Sequence, residues 1–200
     1  MAVEVSRPAA ASVKGFALRG LLRSVKDAGW SIPEVIAVVP ESERRAFARP
    51  VVSSAWYPYA AFIALVRAVE KLHGRGTDFA LSRELGRRSA ARDLGGTFRI
   101  ISAMASVEFL LKRAQIFWSQ YCDRGRLVME TPARNTFAAR LEEFPDIDPV
   151  HCRLIEGWFH GMGEALGAVG MSCRHTRCLR RGDPACEYDG AWTSTRGLFS

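Results

Sequence analysis

The sequence predicts an α+β domain: N-terminal helices packed on an antiparallel sheet, then a C-terminal helix and hairpin clipped together by a metal. Three observations predict it. Apolar residues recur at helical spacing up to Tyr121, alternate with a period of two in two later stretches, and return to helical spacing between those stretches. The metal clip follows from cysteines crowded into the last quarter of the chain. Composition admits such a domain, because 48% of the 200 residues are hydrophobic and 24% are charged, enough apolar surface to offset chain entropy.

Residues 1–12 (MAVEVSRPAAAS) lack periodicity and read as a flexible tail, leaving 13–200 as one domain. A helix follows to about Ala28, on the stripe Leu18, Leu21, Leu22 and Val25, with Gly29 as its stop. Pro33 and Pro40 each open a short helix, and Ser53 to Pro58 is an aromatic-rich connector. Pro58 starts a helix with the stripe Phe62, Leu65, Val66, Val69 and His73, which Gly74 ends. Asp78 is expected to cap a helix that runs to about Leu94 and closes at Gly95-Gly96. The next helix, capped by Ser106, places Val107, Leu110, Leu111, Ala114, Phe117, Trp118 and Tyr121 on one face.

After Cys122-Asp-Arg-Gly the period becomes two. Leu127 and Met129, then Phe137, Ala139 and Leu141, form the buried face of a hairpin that turns around Pro132. Asp148-Pro149 opens a helix to about Leu166, with Cys152, Ile155, Phe159 and Met162 on its apolar stripe. Gly157, Gly161, Gly163 and Gly167 along it suggest close packing. Met171, Cys173 and His175 then alternate into a strand, Arg181-Gly-Asp-Pro turns the chain, and Cys186, Tyr188 and Trp192 alternate out.

Composition also excludes function classes. No window approaches the roughly 18–20 uncharged apolar residues that a bilayer span needs, and Arg19 and Arg23 interrupt the first apolar stretch, as a secretory signal would not. A cytoplasmic location is expected. The net charge is +7, yet of 28 basic residues only Lys14, Lys26, Lys71 and Lys112 are lysine, and no helix-turn-helix, zinc-finger or RNP signature accompanies the arginines. Charge alone supplies only non-specific attraction, so nucleic acid is not the expected partner. The arginine face at Arg83, Arg87, Arg88 and Arg92 reads as solvated. No phosphate loop and no nucleophile–base pair is present, which speaks against catalysis.

A zinc site needs about four soft or borderline ligands at tetrahedral geometry. Cys178 and Cys186 flank the turn of the last hairpin, His175 lies three residues before Cys178, and Cys152 lies in the first turn of the preceding helix. Cys152, His175, Cys178 and Cys186 are therefore the candidate ligands, all four positions are filled, and the expected role is structural. Cys173 competes with His175, because both point to one face of the same strand. Reduced core thiols are the alternative, since cysteine is often a small buried hydrophobe.

The segment Cys152 to Trp192, with His-Thr-Arg-Cys-Leu-Arg-Arg-Gly-Asp-Pro-Ala-Cys-Glu-Tyr near its end, resembles the 4-vinyl reductase domain of the superfamily of nitric-oxide-signalling and Golgi-transport ligand-binding folds. Zinc-bearing members carry a helix cysteine, then Glu-x-x-Cys and a second cysteine eight positions on. Cys152, Cys178 and Cys186 match that pattern, and the family's glutamate falls on His175. The stretch Glu84-Leu-Gly-Arg-Arg-Ser-Ala-Ala-Arg-Asp-Leu looks like the superfamily's small-residue helix, and residues 14–166 are similar to myxobacterial proteins related to haem-NO-binding domains. The resemblance implies a hydrophobic small-molecule pocket between helices and sheet, beside the zinc, and signalling through a homodimer or a protein partner. It does not carry over pocket residues, because Ala103 and Thr131 or its neighbours fall where phenol sensors place a His and a Trp. An interaction module like the transport-complex subunits, and a tetrapyrrole carrier or reductase, are the other functions the superfamily implies.

Overall fold

The computed structural model describes residues 10–76, 78–95 and 114–195. Ser106 with its stripe residues Val107, Leu110 and Leu111, as well as Gly96 and Ala103, lie outside the described residues.

Helix α1 at Gly15–Asp27 forms on its stripe, α2 at Ile32–Val38 and α3 at Glu41–Arg44 lie at Pro33 and Pro40, and α4 at Tyr59–His73 forms on its stripe. Helix α5 spans Ala80–Gly95, α6 at Ala114–Tyr121 is the described part of the helix expected after Ser106, and α7 at Pro149–Ala165 forms on its stripe. Leu18, Val25, Leu65, Val66 and Val69 are essentially solvent-free, so the stripes of α1 and α4 face the core. Strands β3 (Arg126–Glu130), β4 (Thr136–Glu142), β6 (Ser172–Arg177) and β7 (Cys186–Ala191) make one antiparallel sheet in the order β3-β4-β7-β6. Leu127 pairs with Leu141, Leu141 with Cys186, and Ala139 with Tyr188, so one face of the sheet is apolar across three strands.

Two further ladders are too short for periodicity to reveal. Strand β1 (Ser12–Lys14) pairs with β2 (Trp56–Pro58), inside the expected connector, and β5 (Ala168–Val169) pairs with β8 (Ser194–Thr195). Ala11, just before β1, is buried, and the Asp123 carboxylate accepts the Ser12 amide at 2.7 Å.

Asp78 does not cap α5, which starts two residues later. Its carboxylate instead takes Arg153 of α7 at 2.8 Å. The arginine face of α5 is a seam as well as a solvated surface: Arg83 pairs with buried Glu156 at 3.0 Å and Arg87 with Glu164 at 2.6 Å, both on α7, while Arg88 meets Glu84 on its own helix. Glycines bring α5 and α7 together. A Cβ at Gly157 would stand 1.8 Å from the Arg83 carbonyl oxygen, one at Gly86 2.0 Å from that of Leu154, and one at Gly161 2.2 Å from that of Arg87. Only glycine permits that approach of two helix backbones.

Candidate functional site

Helix α7 carries residues of both features that can hold a ligand. Its start is fixed from several sides. Asp148 accepts the Val150 amide at 2.9 Å as N-cap, Pro149 pre-sets the first turn, and Arg67 of α4 donates two nitrogens to the same carboxylate at 2.8–3.1 Å. The acidic loop Glu142, Glu143, Asp146 and Asp148 therefore serves as a cap and as the partner of Arg126, which meets Glu142 and Glu143.

One turn into α7, Cys152 meets the last hairpin. The sulfurs of Cys152, Cys178 and Cys186 lie 3.8–4.0 Å from one another. One ligand atom from each of Cys152, His175, Cys178 and Cys186 falls within 4.8 Å of the other three. The turn that achieves this is local: Gly182 takes positive φ, and the Asp183 carboxylate accepts the Cys178 amide at 2.7 Å. The structure brings together the four residues named from spacing and leaves Cys173 out of the group, paired across the sheet with Gly190.

The chemistry of the cluster suits a divalent cation. Without one, three thiols crowd together and only one can ionise cheaply. The Cys152 thiol donates to Cys186 and, with help from His175, holds it down to about 4 against burial, whereas the same bond and burial push Cys152 far up. The ring of His175 stacks on Tyr188 at 4.7 Å, and its Nε2 is buried without a hydrogen-bond partner among the described residues. A histidine ring beside three sulfurs is a donor set that a tetrahedral ion would complete.

The second feature is a largely apolar cavity of about 130 Å³ between α1, α5, α6, α7 and the sheet, with Leu21, Leu85, Trp118, Ile155 and Phe159 among its walls. His151 and Asp93 are its polar groups of interest. Neither was singled out from the sequence, although His151 shares a helical stripe with Leu154, Ile155 and Trp158. His151 is buried, and desolvation lowers its imidazole to about 4, so the ring is neutral. Its Nδ1 lies 3.0 Å from the Tyr59 hydroxyl, which also accepts the Asp148 amide at 3.1 Å. Tyr59 thus ties the His151 ring to the N-cap of α7. Asp93, on α5, accepts from the Tyr121 hydroxyl and from Trp158 Nε1, the latter at 3.0 Å.

No family model and no curated protein matches the chain. Solved structures do. An H-NOX protein from S. oneidensis in the Fe(II) ligation state matches with a TM-score of 0.71 at 15% identity, covering 94% of this chain and 100% of that one. The H-NOX protein from S. oneidensis in the Fe(II)NO state gives 0.70 at 15% identity over 90% and 99% of the two chains. An oxygen-binding H-NOX domain related to soluble guanylate cyclases, in its oxygen complex, gives 0.64 at 14% identity over 94% and 97%. The chain has the H-NOX fold. The likeness falls on the haem-NO-binding side of the resemblance read from residues 14–166.

Haem is the group that this fold brings to mind, since haem distortion has been probed in the H-NOX family. The residues here do not fit it. The chain has four histidines. His73 stacks on Trp30 at 4.0 Å, His160 lies beside Arg83 and Glu164, and His175 is in the cysteine cluster. Only His151 lines the cavity, with one nitrogen committed to Tyr59 and its ring packed against Phe62, Trp118 and Phe144. Burial pushes the cavity-lining thiol of Cys122 up and keeps it neutral, a poor iron ligand. The cavity's 130 Å³ is also well below the roughly 300–1,000 Å³ that a drug-sized ligand takes, and a porphyrin is at least that large. No described helix is long and apolar enough to cross a membrane.

Proposed function

We propose that the chain is a non-enzymatic small-molecule-sensing domain built on the H-NOX fold, with a structural zinc at Cys152, His175, Cys178 and Cys186. The observation that carries the reading is the apolar cavity walled by the same helix that starts at the cysteine cluster. A void of about 130 Å³ is close to the size at which an engineered apolar cavity in another protein accepts benzene, so a small apolar molecule suits it better than a large cofactor. Zinc with four protein ligands keeps no open position and supplies fold energy, not chemistry. The metal clip is also what likens the chain to 4-vinyl reductase domains.

The sensing step follows from packing. A ligand that fills the void stabilises the arrangement of α1, α5 and α7 that best encloses it, and shifts the population toward that arrangement. Zinc fixes the start of α7 to the β6–β7 hairpin, so movement is confined to the rest of the helix. Output passes through a homodimer or a protein partner in the cytoplasm. Native mass spectrometry of untagged protein tests this: one zinc per chain and a retained small mass are expected. Metal-free, mass-clean protein that also ignores small apolar probes would overturn it.

A further inference from the structure

Among the described residues the cavity carries one carboxylate, Asp93, and its surroundings assign the ligand class. We propose that the cavity selects a small protonated amine, its ammonium on Asp93 and its hydrocarbon among the rings of Phe16, Trp118, Tyr121 and Trp158. The inference rests on the cavity being the ligand site proposed above.

Asp93 is the only acid among the described residues that line the cavity, and Arg92 the only arginine or lysine. They are adjacent on α5, and successive helix positions face different directions. Arg92 reaches α1, donating to the Gly20 carbonyl at 3.3 Å and to Ser24 Oγ at 2.6 Å. Asp93 reaches the opposite way, to Tyr121 of α6 and Trp158 of α7. Both of those donors are neutral, and both go to one oxygen, Oδ2. Among the described residues no cation lies within ion-pair distance of Asp93, although Arg92 acts on it from further away. Burial pushes the Asp93 carboxyl up, the mark of a charge only partly compensated.

The rings around that carboxylate are arranged edge to face. Phe16 and Tyr121 have centroids 4.7 Å apart at 68°, and Tyr121 and Trp158 5.7 Å apart at 76°. In such pairs one ring shows its electron-rich face where the next shows its edge. Aromatic walls around the Asp93 carboxylate match an alkylammonium on both counts, cation–π attraction and charge pairing. A neutral hydrocarbon offers the buried carboxylate no counter-charge, and an anion is repelled.

The test uses the full chain and three probes of similar shape, benzylamine, benzyl alcohol and benzoate, titrated calorimetrically. Benzylamine is expected to bind roughly tenfold or more tighter than benzyl alcohol, with benzoate weakest. Asp93→Asn should abolish that preference and leave benzyl alcohol within a factor of about three. If the variant fails to fold, Tyr121→Phe serves instead. It frees Oδ2 of one donor, and the amine preference should persist or grow. Equal binding of amine and alcohol overturns the amine class while leaving the cavity as a ligand site. Tightest binding of benzoate moves recognition to Arg92 and overturns it too. If no probe binds, the cavity reading falls and this inference with it.

Discussion

The two sides of α7 contrast sharply. Toward α5 it presents Gly157 and Gly161, where not even a methyl group has room. Toward the interior it presents Ile155, Phe159 and Met162, large side chains that nonetheless leave a void of about 130 Å³. Tight packing is thus spent on fixing two helix backbones, and looseness is kept beside the polar pair His151 and Asp93. Interiors are ordinarily close-packed throughout, so a void next to a glycine-locked seam reads as space kept for a ligand.

Four perturbations separate the tight regions of the molecule from the loose one. The largest effect is expected at the start of α7. Cys186→Ser, or a strong chelator added to the wild type, should cost several kcal/mol in urea unfolding, of order 3–5, because structural zinc is folding energy. A wild-type melt indifferent to chelator would return these cysteines to the role of core thiols. Next is the cavity side. The unfolded chain protonates His151 near the ordinary 6.5, the folded chain only near 4, so the unfolded state binds more protons between those values. That stability is complete above about pH 6.5 and is lost as pH falls toward 4, about 2–4 kcal/mol in all. His151→Phe should flatten this acid limb; an unchanged limb would assign it to other groups.

Gly157→Ala probes the tight side. Its methyl would meet backbone, not a movable side chain, so the helices must part, at roughly 1–3 kcal/mol. The smallest effect has the opposite sign. A Cβ at Gly20, in α1 on the cavity wall, meets nothing within 4 Å. Gly20→Ala should therefore stabilise by up to about 1 kcal/mol through helix propensity alone. Thermal melts of the two alanine variants with the same sign would dissolve the contrast.

Much of this was legible in the sequence, for physical reasons. Long amphipathic stripes fixed α1, α4 and α7, and the switch to period two fixed both hairpins, because burial of one face forces those spacings. The cysteine group was legible because a tight turn and a helix start constrain position strongly. What escaped depended on distant partners. Strands β1 and β2 have three residues each, too few for a period, and they exist only because they meet each other. Asp78 looks like a cap but finds Arg153, 75 residues away, while Phe79 takes positive φ before α5. Asp93 hid in an arginine-rich helix that read as solvated, and only the tertiary fold shows that Tyr121 and Trp158 close over it.

The order of strands has a consequence for synthesis. In the sheet β3-β4-β7-β6, the strand made last, β7, lies inside, and its first residue is Cys186. Until the ribosome has released that segment, β4 shows an open edge and the cysteine group lacks a member. An unpaired edge is a template for pairing with another chain. One short stretch of polypeptide then closes the sheet and completes the ligand set together, so a nascent chain stalled before it is exposed to mispairing and to stray oxidation at the same time.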